Sequence, residues 1–485
     1  MAELQSLKKL RGVGRLEEHA TARHSLGYYN NVGVSAYYTY SCPIELEQLQ
    51  SRIYHAVKAV VALHPSLSVT LVDEDKPGAY FAQLPSISFA KTVRFSACAG
   101  IFEEVTGPHR LDQILEDEHN VNFAPMTGDT PLWRLRITYD PDRSSQFVAS
   151  FIYHHAIADG TSGLAFHRSL ILELGRAAES KLPPSQQCIP VPLSNKLIPT
   201  LEVLHKLPLS PSFMVKSFWR EYFAPHPSNL WTASLITSDP RRSRFRSITF
   251  SKEATSDLAG ACRSNSTSVT AALQAMLAAT LFAELPADRY SLLRVSGAVS
   301  LRRWLPRDIV DDMSIGTWVS RYLDQHSRPK IEDRSKNLAR AYFSWDEARR
   351  IKQHITTDLD KGGKDSVVGL LRFAGDLHRF FSSMHGKPRE ESFEFSNIGV
   401  FSSETLPDMN GNGWTIGRVV FSQSADIVGA PFETSLVTGA DGMLNIGFSW
   451  LEGVVDGSWM GLVISTYKKL IDDIVALHRT TLSDN

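Results

Sequence analysis

Cysteine is scarce: the 485 residues hold four, Cys42, Cys98, Cys188 and Cys262, with no CxxC pair among them. That argues against a small disulfide-stapled secreted scaffold and suits buried thiols in a reducing compartment. Charge of one sign is equally lacking. Lysine plus arginine total 51 against 52 acidic residues, a formal charge of −1. A near-neutral chain gives no electrostatic reason to expect a nucleic-acid partner, whose phosphates need a basic face. No run approaches the roughly 18 uncharged apolar residues that a membrane span needs, and the N-terminus lacks the apolar core of a secretory signal. Neither a short-period repeat nor a low-complexity tract occurs. What is present, 43% hydrophobic and 10% aromatic residues, fits a well-packed globular protein, and the expected location is the cytoplasm.

The length allows two or three average domains, or one enzyme of two fused halves. Leu46 to Leu63 is amphipathic and stops at His64-Pro65, so a helix is expected there. Leu67 to Leu71 and Leu132 to Ile137 alternate as strands, and Gln146 to His154 is a continuous apolar and aromatic run, as in a strand buried on both faces. After Asp159-Gly160, Thr161 or Ser162 is placed to cap a helix carrying Leu164, Leu170, Ile171 and Leu174. From Lys181 to Asp239 prolines and serines multiply and only Ser217 to Phe223 is locally helical. The chain is therefore expected to divide into residues 1–180, a crossover over 181–240, and 241–485. Ser268 opens an alanine- and leucine-rich helix reaching Glu284. Strands are expected at Ser291 to Ser300, Phe393 to Phe401 and Leu444 to Trp450, with a closing helix from Trp459 to Leu477. The fold class is mixed α and β. At the start, Leu4, Leu7, Leu10 and Val13 recur every third residue beside Lys8, Lys9 and Arg11. A short docked helix and a weak peripheral membrane contact through the N-terminus both fit that pattern, and Gly12 and Gly14 end any longer helix.

Chemistry concentrates in Tyr153-His154-His155-Ala156-Ile157-Ala158-Asp159-Gly160. A buried strand runs into two histidines, then a turn with an aspartate and a glycine. Histidine is suited to taking a proton near neutral pH. Neighbouring strand residues face opposite ways, so the two rings cannot readily serve one site. Asp159 is open to two readings, the acid of a catalytic dyad or a structural brace. Gly160 permits a positive backbone angle before the helix. As a metal motif, HHxxxD lacks the i, i+4 histidine pair of HExxH, and no metal is expected. No GxSxG elbow marks a serine nucleophile. Gly362-Gly363-Lys364-Asp365 lacks the spacing and hydroxyl of a P-loop, and Gly411-Asn412-Gly413 lacks a third glycine for a dinucleotide fingerprint; both are loops.

HHAIADG matches the HHxxxDG motif of the chloramphenicol-acetyltransferase-like superfamily, which includes peptide-synthetase condensation domains, plant BAHD acyltransferases and fungal alcohol acetyltransferases. The chain resembles the last group over most of its length, Leu10 to Leu470, through LRGVGRLEEHATARHSLGYYNNVGVSAYY, PLWRL, SVTAAL, VSLRRWL, SFEFSNIG and LNIGFSW in order. The plant DFGWG motif does not appear. The resemblance implies two similar αβ sandwiches with a tunnel between them, the donor thioester entering one mouth and the acceptor the other. It implies that the second histidine, His155, is the general base, which leaves His154 a structural role. It implies that Asp159 points away from the site and pairs with an arginine of the second half; Arg302 matches, and Arg303 is adjacent. Ser396 and Asn397 match the family's SN(L/I)G element. They offer donors for an oxyanion, although Asn-x-Gly also fits a turn. Asp312 to Gly316 is expected near the tunnel, with no role assigned.

The activity implied is acetyl transfer from acetyl-CoA, a co-substrate, to the hydroxyl of a small-molecule alcohol, with no permanently bound cofactor. The chain is expected to act as a monomer. Two rivals keep the fold: a carrier-protein-bound donor, as in condensation domains, and a repurposed scaffold or cyclase without acyl transfer.

Overall fold

A strand apolar on both faces needs cover on both, and Gln146–Tyr153, buried at every residue after Gln146, organises the first half for that reason. The computed structural model describes all residues except 1–5, 104–108, 124–129, 179–187, 192–195, 238, 240–241, 332–336, 403–412 and 484–485. Gln146–Tyr153 is the third strand of a five-stranded sheet, in the order Trp414–Gln423, Val32–Tyr40, Gln146–Tyr153, Trp133–Tyr139, Val93–Ala97. One face packs on helices Leu46–Leu63 and Gly160–Ala178, where the Phe151 and Phe166 rings stack at 3.8 Å. On the other face Val148, Ile152 and Val420 meet Ile114 and Leu115 of helix Arg110–His119 and Phe245 of the second sheet.

The second sheet has six strands in the order Ser243–Phe250, Leu444–Leu451, Phe432–Thr438, Phe393–Val400, Leu292–Ser300, Val319–Ser327. Its apolar face holds Phe393, Phe395, Phe432 and Phe448 against helices that include Val269–Glu284 and Gly457–Ser483. The first of these helices is capped as its sequence suggests, Ser268 Oγ accepting the Ala271 N–H at 3.2 Å.

Trp414–Gln423 joins the sheets. It lies late in the chain yet pairs antiparallel with Val32–Tyr40, Phe421 opposite Val34. Toward the second sheet, Ser449 Oγ donates to the Gln423 carbonyl at 2.7 Å. A Cβ on Gly447 would lie 2.9 Å from the Phe421 carbonyl oxygen, so glycine is what permits this approach.

Three local expectations are corrected. Lys9–Gly12 is a strand paired with Tyr80–Ala82, not a docked helix; so short a segment before two glycines cannot nucleate a helix, while the hairpin edge offers it partners. Leu4 lies outside the described residues, as do Gly411 and Asn412. Pro65–Ser68 forms a 3₁₀ turn, leaving a strand only at Val69–Val72. The crossover helix runs over Pro211–Tyr222, with Pro211 in its first turn and Ser210 as its cap. Among the described residues no single helix is long and apolar enough to cross a membrane.

Burial holds three histidines below their ordinary pKa near 6.5: His64 at about 4, His167 at about 4, and His119 at about 3, where the Arg134 charge adds to burial. The unfolded chain protonates such rings first as pH falls. The folding penalty is therefore absent above about 6.5 and grows toward about 4. The melting temperature is expected to fall steadily between about pH 6.5 and 5, before most carboxylates titrate. A flat profile over that interval, by differential scanning fluorimetry, would show the rings titrating freely in the fold.

Candidate active site

The site begins where Gln146–Tyr153 ends. His154 continues the ladder, its N–H donating to the Leu132 carbonyl at 2.9 Å, and strand alternation then sends His154 and His155 to opposite faces. A turn follows, with Ile157 N–H on the His154 carbonyl at 3.1 Å, and helix Gly160–Ala178 starts directly after Asp159. The residue that caps this helix is Asp159 itself rather than Thr161 or Ser162: its Oδ1 accepts the Ser162 N–H at 2.8 Å. Gly160 also differs from expectation. It has no positive φ. A Cβ there would lie 2.5 Å from Ile398 Cγ2 and 3.2 Å from the Phe421 ring, so its role is close approach to the strands of the second half.

The Asp159 carboxylate is fully engaged away from the imidazole. Oδ1 also accepts from Arg302 Nη2 at 2.8 Å and from Ser162 Oγ at 2.9 Å, and Oδ2 accepts the Trp318 N–H at 3.1 Å. Burial pushes this carboxyl up, but the Arg302 charge and these hydrogen bonds outweigh it and hold the pKa below the usual carboxylate range. Arg302 is buried, donates to the Ser314 carbonyl at 3.1 Å and lies 4.6 Å over the Trp318 ring, whereas Arg303 is exposed. The Asp312–Gly316 segment enters here: Ser162 Oγ lies 2.7 Å from the Gly316 carbonyl, and Thr317 Oγ1 donates to the His155 carbonyl at 2.6 Å. A cavity of about 380 Å³ lies beside this segment, lined by Ser66, Ser169, Met313 and Ile315 but not by His155.

His155 Nδ1 donates to the Ala158 carbonyl at 3.1 Å. The tautomer is thereby set, leaving Nε2 bare, with no hydrogen-bond partner among the described residues. Burial, then the Arg23 charge, lowers the His155 pKa, which keeps the ring neutral and so able to accept a proton. The Tyr29 ring stands 5.8 Å away, centroid to centroid.

His154 turns instead to Glu74, its Nε2 2.8 Å from Oε1, and His24 Nδ1 reaches the same oxygen at 2.8 Å. Three such groups suggest a metal triad, but the opposite ring nitrogens decide the matter. His154 Nδ1 accepts the Ala156 N–H at 2.9 Å and His24 Nε2 accepts the Phe123 N–H at 3.2 Å. Each ring must therefore keep its proton on the side facing Glu74, where a metal ligand would need it bare. Burial lowers the His154 pKa to about 4, and the two histidine contacts bring Glu74 to about 2. The cluster is a hydrogen-bonded anchor for the strand end.

Asn397 is accounted for by the turn. Its Oδ1 accepts the Gly399 N–H at 2.8 Å and its Nδ2 donates to Thr270 Oγ1 at 3.0 Å, on the helix side of the sheet, so it is not free to serve an oxyanion. Ser396 and Ile398 are on the opposite face, where Ile398 abuts Gly160. Tyr29, Glu74 and Thr317 carry no local signal that reasoning from sequence could have used, whereas Ser162, two residues past the motif, is expected only as a helix cap.

The family model for alcohol acetyltransferases matches residues 111–471. A probable alcohol acetyltransferase of Aspergillus fumigatus, crmB, is 35% identical over 462 residues, 92% of this chain and 96% of that protein. FCK4 of Fusarium pseudograminearum, also a probable alcohol acetyltransferase, is 22% identical over 92% of this chain and 91% of that protein. Among solved structures, the TRI3 trichothecene 15-O-acetyltransferase of Fusarium sporotrichioides superposes with a TM-score of 0.68 at 14% identity, over 96% of this chain and 94% of that one. The first condensation domain of the CDA synthetase gives 0.62 at 15%, over 96% of each chain. The likeness to these structures shows the fold, the mixed α/β arrangement of condensation-domain-like acyltransferases.

Breaking one side of a buried ion pair typically costs about 3–5 kcal/mol, because the remaining charge stays desolvated. Asp159→Asn and Arg302→Ala are each expected to lose stability on that scale in urea unfolding. Their combination should cost less than the two losses added. Single variants as stable as wild type would mean that the pair contributes nothing.

Proposed function

This chain belongs to the alcohol acetyltransferase family, and from that premise we propose that it carries an acetyl group from acetyl-CoA directly to a hydroxyl of a small molecule, with His155 as general base. The observation that carries the proposal is the hydrogen bond from His155 Nδ1 to the Ala158 carbonyl at 3.1 Å, which leaves Nε2 as a neutral, unpaired acceptor. Nε2 takes the proton of the acceptor hydroxyl as its oxygen attacks the thioester carbonyl. The tetrahedral oxyanion then collapses, and the imidazolium returns the proton to the departing CoA sulfur. Ser396, on the strand face toward the first half, is the proposed oxyanion donor. Asp159 acts as a positioning residue, holding the turn that presents His155, because its carboxylate is already engaged by Arg302, Ser162 and Trp318. Both substrates meet between the halves. The trichothecene named for TRI3 supports a hydroxylated secondary metabolite as acceptor. We place the enzyme in the cytoplasm as a monomer.

His155→Ala is expected to lower turnover at least about a hundredfold while leaving the melting temperature near wild type. Initial-rate lines should intersect when both substrates are varied, as direct transfer through a ternary complex requires. The base works neutral and its pKa is lowered, so the acid limb of kcat/KM should lie below the ordinary histidine value near 6.5. Near-full activity of the alanine variant, measured by release of CoA thiol, excludes His155 as the base.

A further inference from the structure

Three ionisable side chains share an unusual environment: His19, His155 and Glu394. Burial is the largest influence on the protonation of each, yet none is sealed off, since each keeps partial contact with solvent-sized space. Side chains largely enclosed yet still partly exposed are able to meet a ligand. Contacts link their surroundings. The His19 ring stands edge-on to Phe381 at 5.2 Å, and Arg23, one helical turn after His19, lies 4.8 Å over the Tyr29 ring that faces His155.

Glu394 arrives from the second sheet. On its strand Phe393 and Phe395 enter the helix-side core, so Glu394 and Ser396 face the first half. Glu394 stands directly beside Glu433 in the parallel register. Beneath them the floor is polar and tied to the same group. Tyr29 donates to Gln423 Oε1 at 2.9 Å, Arg23 pairs with Asp426 at 2.6 Å, and the Asp426 N–H donates to Glu433 Oε1 at 3.1 Å. Two poles of this floor have no protein partner although their residues are over nine-tenths buried, Gln423 Nε2 and Glu433 Oε2. The His19 ring and the Glu394 carboxyl likewise have no hydrogen bond among the described residues. Native interiors seldom leave so many polar atoms together unmatched.

Resting on the acyltransfer reading above, we propose that His19 and Glu394 form an acceptor subsite that holds a second hydroxyl group of the alcohol, apart from the one His155 deprotonates. The chemistry selects the ligand. Burial and the Arg23 charge keep His19 neutral, so its ring offers one donor and one acceptor nitrogen. Burial and the Glu391 charge raise Glu394 to about 7, so near neutral pH its carboxyl both donates and accepts. A hydroxyl matches such a pair. An ammonium group would need a fixed carboxylate, and an apolar group would leave both unpaired.

The test compares straight-chain alkanols with the α,ω-diols of equal length, and cyclohexanol with the cyclohexanediols, as acceptors of acetyl from acetyl-CoA. Wild type is expected to favour the diols in kcat/KM by about tenfold or more. Glu394→Leu and His19→Phe should each erase that preference, and Glu394→Gln, which keeps hydrogen-bonding atoms, should restore part of it. Thermal-shift titration with the same compounds reads binding without turnover, and diol-specific stabilisation should vanish in Glu394→Leu. If diols stabilise the protein through Glu394 but no alcohol is acetylated, the subsite stands and the catalytic reading falls. If alcohols are acetylated with a diol preference that is absent, or unchanged in the variants, the subsite is refuted. A matching amino alcohol preferred over the diol also overturns it, because that would place a cation there. Neither transfer nor diol-specific stabilisation refutes both.

Discussion

The ion pair between Asp159 and Arg302 is the constraint on which the site depends. One carboxylate does three tasks at once. It caps helix Gly160–Ala178 through Ser162, takes the Arg302 guanidinium, and fixes the Trp318 backbone. Its partners lie 143 and 159 positions along the chain, so the turn after the central strand and the segment following Leu292–Ser300 are set against each other. A buried pair of this kind gains little net stability over apolar packing. Its effect here is geometric. With every lone pair toward the protein body already used, Asp159 has nothing left for the imidazole.

The orientation of His155 then follows from elementary features. Strand alternation separates it from His154, the Ala158 carbonyl holds one ring nitrogen, and burial with a nearby guanidinium disfavours the imidazolium. His154 is fixed independently by Glu74, which is fixed in turn by His24. Two adjacent histidines thus have unlike surroundings, one saturated with hydrogen bonds and the other left with an open nitrogen. The tight seat of Gly160 against Ile398 brings the face carrying Ser396 and Glu394 up to this turn.

Local features were legible in the sequence and distant ones were not. The helix from Leu46 to Leu63 shows its stripe and its His-Pro stop, and Ser268 its cap, because both signals lie within one turn. The strand entering the two histidines is readable as an unbroken apolar run. Lys9–Gly12 misleads because a three-residue recurrence over one turn is no stronger than the pull of an open hairpin edge. Gly160 was expected to serve backbone freedom, yet its reason is Ile398, a contact with no trace in neighbouring residues. The same holds for Arg23: nothing in its local sequence says that it pairs with Asp426 and lies over the Tyr29 ring that faces His155. The motif and its resemblance point to the candidate base; the side chains from distant segments around it required coordinates.

The Trp414–Gln423 strand has a consequence for biosynthesis. The sheet that carries both histidines has its Val32–Tyr40 edge covered by residues made some 380 positions later, Val32 pairing with Gln423. While the ribosome works through the intervening chain, that edge presents unpaired backbone donors and acceptors beside an apolar face, the condition under which nascent sheets pair wrongly or recruit holding chaperones. A truncated message or a stalled ribosome would release an N-terminal piece with all of HHAIADG and an open sheet margin. The order of synthesis, rather than any weakness in the finished fold, sets the interval over which this sheet margin stays uncovered.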